Sequence, residues 1–125
     1  MLQKLLFLSL AGAAGTLARY WLSGLVQKYV SMAFPLGTAV VNIVGCLCFG
    51  LVWAILEERL TLSGQMRIIV FLGFFGAFTT FSTFAFETSR LLEDSEWVQA
   101  AGNILLHNTL GIVAMIAGLA LGRWL

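Results

Sequence analysis

Four apolar runs, each close to twenty residues long and separated by short polar loops, leave this chain few ways to fold. A helix of about 20 residues crosses the hydrocarbon core of a bilayer, and only helices and closed barrels satisfy every backbone group there. The runs read as spans over about 5–26, 36–56, 68–92 and 98–121. Lys4 and Lys28 bound the first, and the second follows Phe34-Pro35, with Pro35 suited to a first helical turn. The third begins near Ile68 after the loop EERLTLSGQMR and fades around Leu92; the fourth follows LEDSEW and is closed by Arg123. Composition excludes a water-soluble alternative, because 60% of the residues are hydrophobic and only 10% charged, where a soluble domain carries about 25% charged residues. The first run is too long for a signal peptide and precedes no A-x-A-like cleavage site. The expectation is one all-α membrane domain over 1–125, with Trp21, Tyr29, Trp53, Trp97 and Trp124 at the bilayer interfaces. A net charge of +1 with no basic patch argues against nucleic acid.

Orientation is weakly specified. With four spans, both termini share a side with the second loop, which places Lys4, Arg59, Arg67 and Arg123 together. Lys28 and Arg90 lie opposite, with Arg19 if it snorkels that way. So small a bias leaves two readings open. Either it suffices for one orientation, or the chain inserts both ways and two copies pair antiparallel about an axis in the membrane plane.

For so small a bundle, many polar groups fall in or near the spans: Arg19, Asn42, Thr79, Thr80, Ser82, Thr83, Glu87, His107 and Asn108. Polar groups at membrane depth are costly and usually face a bundle interior or a watery cavity. Helix packing alone accounts for the face Gly111, Ala114, Gly118 and Gly122, but it accounts poorly for these. Cys46 and Cys48, two apart on a helix, point to different faces and read as packing residues rather than a disulfide or metal site.

The segment GFFGAFTTFSTFAFE, residues 73–87, concentrates the problem. Phe81 and Phe84 share one helix face; Thr80, Thr83 and Glu87 share a neighbouring one. Gly73 and Gly76 bracket an expected weak point before Thr79-Thr80, and carbonyls freed by such a break can bind a cation. An aromatic ring has a negative face and a positive edge, so ring edges beside hydroxyl and amide donors make a weak anion site without formal charge. Conduction needs binding strong enough to enter and weak enough to leave. Taken singly, each phenylalanine also fits a simple helix interface. Asn42, on one face with Thr38, offers two amide donors or an interhelical hydrogen bond. Arg19 either snorkels or concentrates anions at a vestibule, and His107, four beyond Asn103, is a structural hydrogen-bonder or a ligand.

These residues resemble a known family. G-x-x-G-x-x-T-T-F-S-T-F from Gly73 to Phe84, P-L-G-T-x-x-V-N-x-x-G from Pro35 to Gly45, and G-x-x-x-R from Gly15 to Arg19 are similar to signatures of the Fluc (CrcB) family of bacterial fluoride channels. The resemblance covers essentially the whole chain. It implies four transmembrane helices with a broken third, in an antiparallel, dual-topology homodimer carrying two pores. Function would be passive, selective export of cytoplasmic fluoride across a bacterial inner membrane, and not enzymatic. Phe81 and Phe84 would be the ring pair on the path, with Asn42 as donor and Ser82 and Thr83 alongside. Thr38, Thr83, Glu87 and His107 would form a polar track, and Arg19 would stand near the entrance. A structural sodium ion would be held by the backbone carbonyls of Gly76 and Thr79 from each subunit. Two other readings compete: a small proton-coupled multidrug exporter, which needs an acid that the first span lacks, and a non-transporting assembly subunit, which leaves the ring-and-hydroxyl segment without a use.

Overall fold

A computed structural model describes residues 1–30, 34–58 and 62–125, without the side chains of Glu57 and Glu58; Arg59, counted in the charge balance above, lies outside the described residues. The described elements are helical throughout: α1 (Leu2–Tyr29), α2 (Leu36–Glu58), α3 (Gly64–Arg67), a π-helical segment (Ile68–Phe75), α4 (Gly76–Phe78), α5 (Phe81–Glu93) and α6 (Trp97–Trp124). Four stretches are long and apolar enough to cross a membrane: Leu2–Tyr29, Leu36–Leu56, Gly64–Glu93 and Trp97–Trp124. The first and last run past the expected ends because Lys4, Lys28 and Arg123 do not interrupt backbone hydrogen bonding. Their long stems let the charge reach the interface while the helix continues.

The third span is built from α3 to α5. Ser63 starts it by accepting the Met66 N–H, and the chain then widens into π register, with the Gly76 N–H bonded to the Phe71 carbonyl five residues back. It breaks at Thr79 and Thr80, both extended (φ −84°, ψ 157° and φ −148°, ψ 116°). The expected break is therefore present, but its position is corrected. Gly76 keeps helical angles (φ −63°, ψ −33°), and the two threonines carry the interruption. Thr80 then caps α5 by accepting the Thr83 N–H on its hydroxyl. At the far end Ser95 adopts a left-handed φ of 62°, and the Glu96 N–H returns to the Leu91 carbonyl at 2.8 Å, turning the chain into α6.

Backbone-level contact holds the bundle together. Transmembrane helices associate without a hydrophobic drive between them, so close packing of small residues dominates. α6 lies on α2 so tightly that a Cβ on Gly118 would collide with the Leu47 carbonyl and sit 2.9 Å from the Leu51 nitrogen. α1 lies on the π-helical segment in the same way, with Gly15 against the Phe74 carbonyl. Between α2 and the third span the rings of Phe49, Trp53, Phe71 and Phe75 form a cluster with centroids 4.9–6.2 Å apart. The phenylalanines before the break are thus packing residues, and those after it are placed differently.

Gly118→Val is expected to abolish the folded unit. Overpacking costs about 1–3 kcal/mol where side chains can yield, and backbone cannot yield. The variant should aggregate on size exclusion in detergent, whereas Gly102→Ala, with open space around its Cα, should elute as the parent does. A monodisperse Gly118→Val protein would show that α2 and α6 are not held this closely.

Candidate functional site

Asn42 organises the break. Its Nδ2 donates to the Thr80 carbonyl at 2.9 Å, and its Oδ1 accepts the Thr80 N–H at 2.8 Å. A side-chain amide has two hydrogens on nitrogen, so one donor is spent on this clamp and one remains. Two consequences follow for the main chain. In a continuous helix the Thr80 N–H would bond the Gly76 carbonyl and the Thr83 N–H would bond the Thr79 carbonyl. Here the first goes to Asn42 and the second to the Thr80 hydroxyl, so both carbonyls lose their helical donors.

Two cavities of about 290 Å³ each meet at Thr80. The first is walled by Asn42, Gly45, Cys46, Phe49, Thr79, Phe81, Phe84, His107, Asn108 and Met115. Within it the rings form a row: Phe81 and Phe84 have centroids 5.4 Å apart at 56°, and Phe84 and His107 lie 4.4 Å apart at 39°. Phe84 is buried, whereas Phe81 is 78% exposed in the single chain. The second cavity gathers Arg19 with Thr16, Tyr20, Ser23, Thr38 and Thr83. Arg19 therefore faces hydroxyls in a concave site rather than lying along a bare helix.

Beyond these cavities Thr38 donates to Glu87 Oε1 at 2.6 Å, which joins α2 to α5. The other carboxylate oxygen, Oε2, is buried and has no partner among the described residues. Glu87 also borders a smaller cavity, about 180 Å³, with Pro35, Phe86, Arg90, Leu91 and Asp94. Thr80, Ser82 and Thr83 form a hydroxyl cluster, with Thr80 Oγ1 donating to Thr83 Oγ1 at 3.0 Å and lying 3.3 Å from Ser82 Oγ. Ser82 is on the exposed side of this cluster and lines neither of the two larger cavities.

The fold thus brings Asn42, Phe81, Phe84 and His107 to one cavity and Arg19, Thr38 and Thr83 to the other. Two further residues enter that received no role from sequence. Thr88 donates to the Phe84 carbonyl at 2.8 Å, and Asn103 Nδ2 donates to Thr88 Oγ1 at 2.9 Å. The spacing of four from Phe84 to Thr88, and of four from Asn103 to His107, was the available signal. His107 Nδ1 lies 3.0 Å from the Asn103 carbonyl. A carbonyl only accepts, so Nδ1 carries the hydrogen and neutral His107 presents Nε2 as an acceptor. The Thr79 and Thr80 hydroxyls donate to the Phe75 carbonyl and to Thr83 Oγ1, so the first cavity offers ring edges and one free amide hydrogen, and the Thr83 hydroxyl can donate at the second: neutral groups suited to a small anion.

Comparison with known proteins adds to this geometry. Residues 6–119 match the family described as CrcB-like protein, Camphor Resistance (CrcB). A protein of Nitrosococcus oceani called Fluoride-specific ion channel FluC is 54% identical over 123 residues, covering 98% of each chain. One of the same name from Solidesulfovibrio magneticus is 57% identical over 123 residues, again covering 98% of each. Another, from Maridesulfovibrio salexigens, is 47% identical over 122 residues, covering 98% of this chain and 97% of the other.

Proposed function

The chain belongs to the CrcB-like family, and from that premise we propose that it is a passive fluoride-selective channel, not an enzyme, working in the bilayer its four spans cross. The observation that carries the reading is the cavity at the helix break, where Asn42, Phe81 and Phe84 converge without a fixed charge. Fluoride is small and strongly hydrated, so a pore must replace its water with close donors. An arginine at the narrowest point would hold the ion; ring edges and hydroxyls release it.

The finer assignments rest on the same geometry. Phe81, Ser82, Thr83 and Thr80 stand exposed or half-exposed on one chain, and irregular backbone at membrane depth needs cover from protein or a cavity. A second copy of the chain supplies that cover, and the weak charge bias suits an antiparallel, dual-topology homodimer with two pores. Oxygen atoms suit hard cations, so the carbonyls of Gly76 and Thr79, both deprived of helical donors, are where a structural sodium ion would be held. In that role these carbonyls and their counterparts in the second copy would hold the ion between the two breaks, and it would supply structural cohesion, not a step in permeation. A bacterial inner membrane is the fitting location, since its spanning proteins are helical and outer-membrane ones are barrels. Fluoride then leaves the cytoplasm down its own gradient.

The test is efflux from liposomes reconstituted with purified protein and loaded with fluoride or chloride. Rapid fluoride loss with chloride retained supports the reading; no fluoride flux from folded protein overturns it. Arg19→Gln should slow fluoride efflux about tenfold at low ionic strength, with the deficit shrinking as inert salt screens the vestibule. A deficit unchanged by salt would assign Arg19 a packing role instead.

A further inference from the structure

Four residues around the inner ring form a closed circuit. The Thr88 hydroxyl donates to the Phe84 carbonyl (2.8 Å), Asn103 Nδ2 donates to that hydroxyl (2.9 Å), and His107 Nδ1 donates to the Asn103 carbonyl (3.0 Å). The His107 ring then returns to the Phe84 ring at 4.4 Å. The circuit begins at the backbone of Phe84 and ends at its side chain, so it constrains both the residue's place on α5 and the attitude of its ring. Phe84, Thr88 and Asn103 are 8%, 7% and 0% exposed, so the two bonds through Thr88 are shielded from water, while the His107 bond is part-buried.

We propose that Thr88 and Asn103 are positioning residues that act through Phe84, fixing the orientation its ring presents to the fluoride route; this rests on the channel reading above. Three features support it. A ring that turns its face toward an anion repels it, while its edge attracts it, so a ring on an anion path must be held against rotation. Thr88 alone does not do this, because a hydroxyl bonded four residues back within its own helix reports nothing about the neighbouring helix. Asn103 supplies the cross-link from α6. Asn103 is also an expensive choice for packing. Its Oδ1 is fully buried without a partner among the described residues, and a buried unpaired acceptor is destabilising relative to an apolar group of the same shape. The use made of this amide is its donation to Thr88. His107, whose Nε2 is buried without a partner among the described residues, serves here as the end of the circuit that meets the Phe84 ring, tilted 39° to it.

The experiment uses the full chain reconstituted in liposomes, with thermal unfolding in detergent measured beside it. Asn103→Leu removes the cross-link together with the orphaned oxygen, so its unfolding midpoint should equal or exceed the parent's. Its maximal fluoride efflux should fall about tenfold. Thr88→Val should show the same fall and Thr88→Ser should keep the parental rate. Because both residues act in one circuit, the Asn103→Leu/Thr88→Val double variant should be no slower than either single variant. A second readout is independent of flux: ¹⁹F NMR of 4-fluorophenylalanine placed at position 84 should give one narrow resonance in the parent and a broadened or split one in Asn103→Leu. Parental efflux in Asn103→Leu, or rate and stability falling together in both variants, overturns the proposal. So does an unchanged resonance. If the parent itself passes no fluoride, the channel reading fails, and the NMR comparison still decides whether the circuit holds the ring.

Discussion

Replacing Asn42 by aspartate is expected to reduce fluoride efflux about a thousandfold. The side chain keeps its size and keeps an acceptor for the Thr80 N–H, so one arm of the clamp survives. The other arm inverts: a carboxylate oxygen now faces the Thr80 carbonyl where an N–H donated at 2.9 Å. The free amide hydrogen on the cavity wall is replaced by a negative charge beside the route of an anion. Two like charges about 4 Å apart at an effective dielectric constant near 20 repel by about 4 kcal/mol, and each 1.4 kcal/mol is about a factor of ten in rate. Protonating the new carboxyl restores a neutral donor, so efflux through the variant should recover as pH falls while the parent shows no such gain. Asn42→Ala separates charge from clamp. It leaves both Thr80 backbone groups unpaired at membrane depth, which is costly, but adds no repulsion, so its flux loss should be smaller and its loss of stability larger. The measurement is initial efflux rate for all three proteins with unfolding midpoints alongside. Aspartate efflux within threefold of the parent would take Asn42 off the route.

The spans were legible because hydropathy is a local property and the runs are long. Their ends moved by a few residues because Lys4, Lys28 and Arg123 mark where charge meets the interface, which is not where a helix stops. The break was legible in kind but misplaced. Gly73 and Gly76 drew attention as weak points, yet glycine permits a break without requiring one. What interrupts the helix is Asn42, 38 positions from Thr80 in sequence, which takes over both backbone groups of that residue. No window around Thr80 contains that information. The ring pair was legible from its spacing of three, and Thr38 and Glu87, which the resemblance set on one polar track, prove to be bonded to each other. Thr88 and Asn103 gained meaning only when the turn at Ser95 laid α6 beside α5.

The same logic separates phenylalanines that a residue count treats alike. Phe71, Phe74, Phe75 and Phe78 lie before the break and pack against one another or α2. Truncating any of them should lower stability by about 3–5 kcal/mol, with effects on flux that follow from unfolding. Phe81 differs because on the single chain it is 78% exposed and its ring meets Phe84. That pair is worth about 0.5–1.5 kcal/mol.

Phe81→Ile is therefore expected to fold nearly as well as the parent and to conduct about thirtyfold more slowly. A cation over the face of a desolvated ring gains about 2 kcal/mol from the quadrupole; taking a similar size for an anion at the positive edge, an isoleucine of comparable bulk forfeits that attraction. Pentafluorophenylalanine at position 81 sharpens the test: the ring keeps its shape while the sign of its edge reverses, so efflux should fall at least as far as in Phe81→Ile. Phe84→Ile should lose flux and stability together, because its ring also packs against the His107 ring and is buried. Parental efflux with the fluorinated ring, beside a slow Phe81→Ile, would show that Phe81 shapes the passage by its volume and that ring electrostatics do not move the ion.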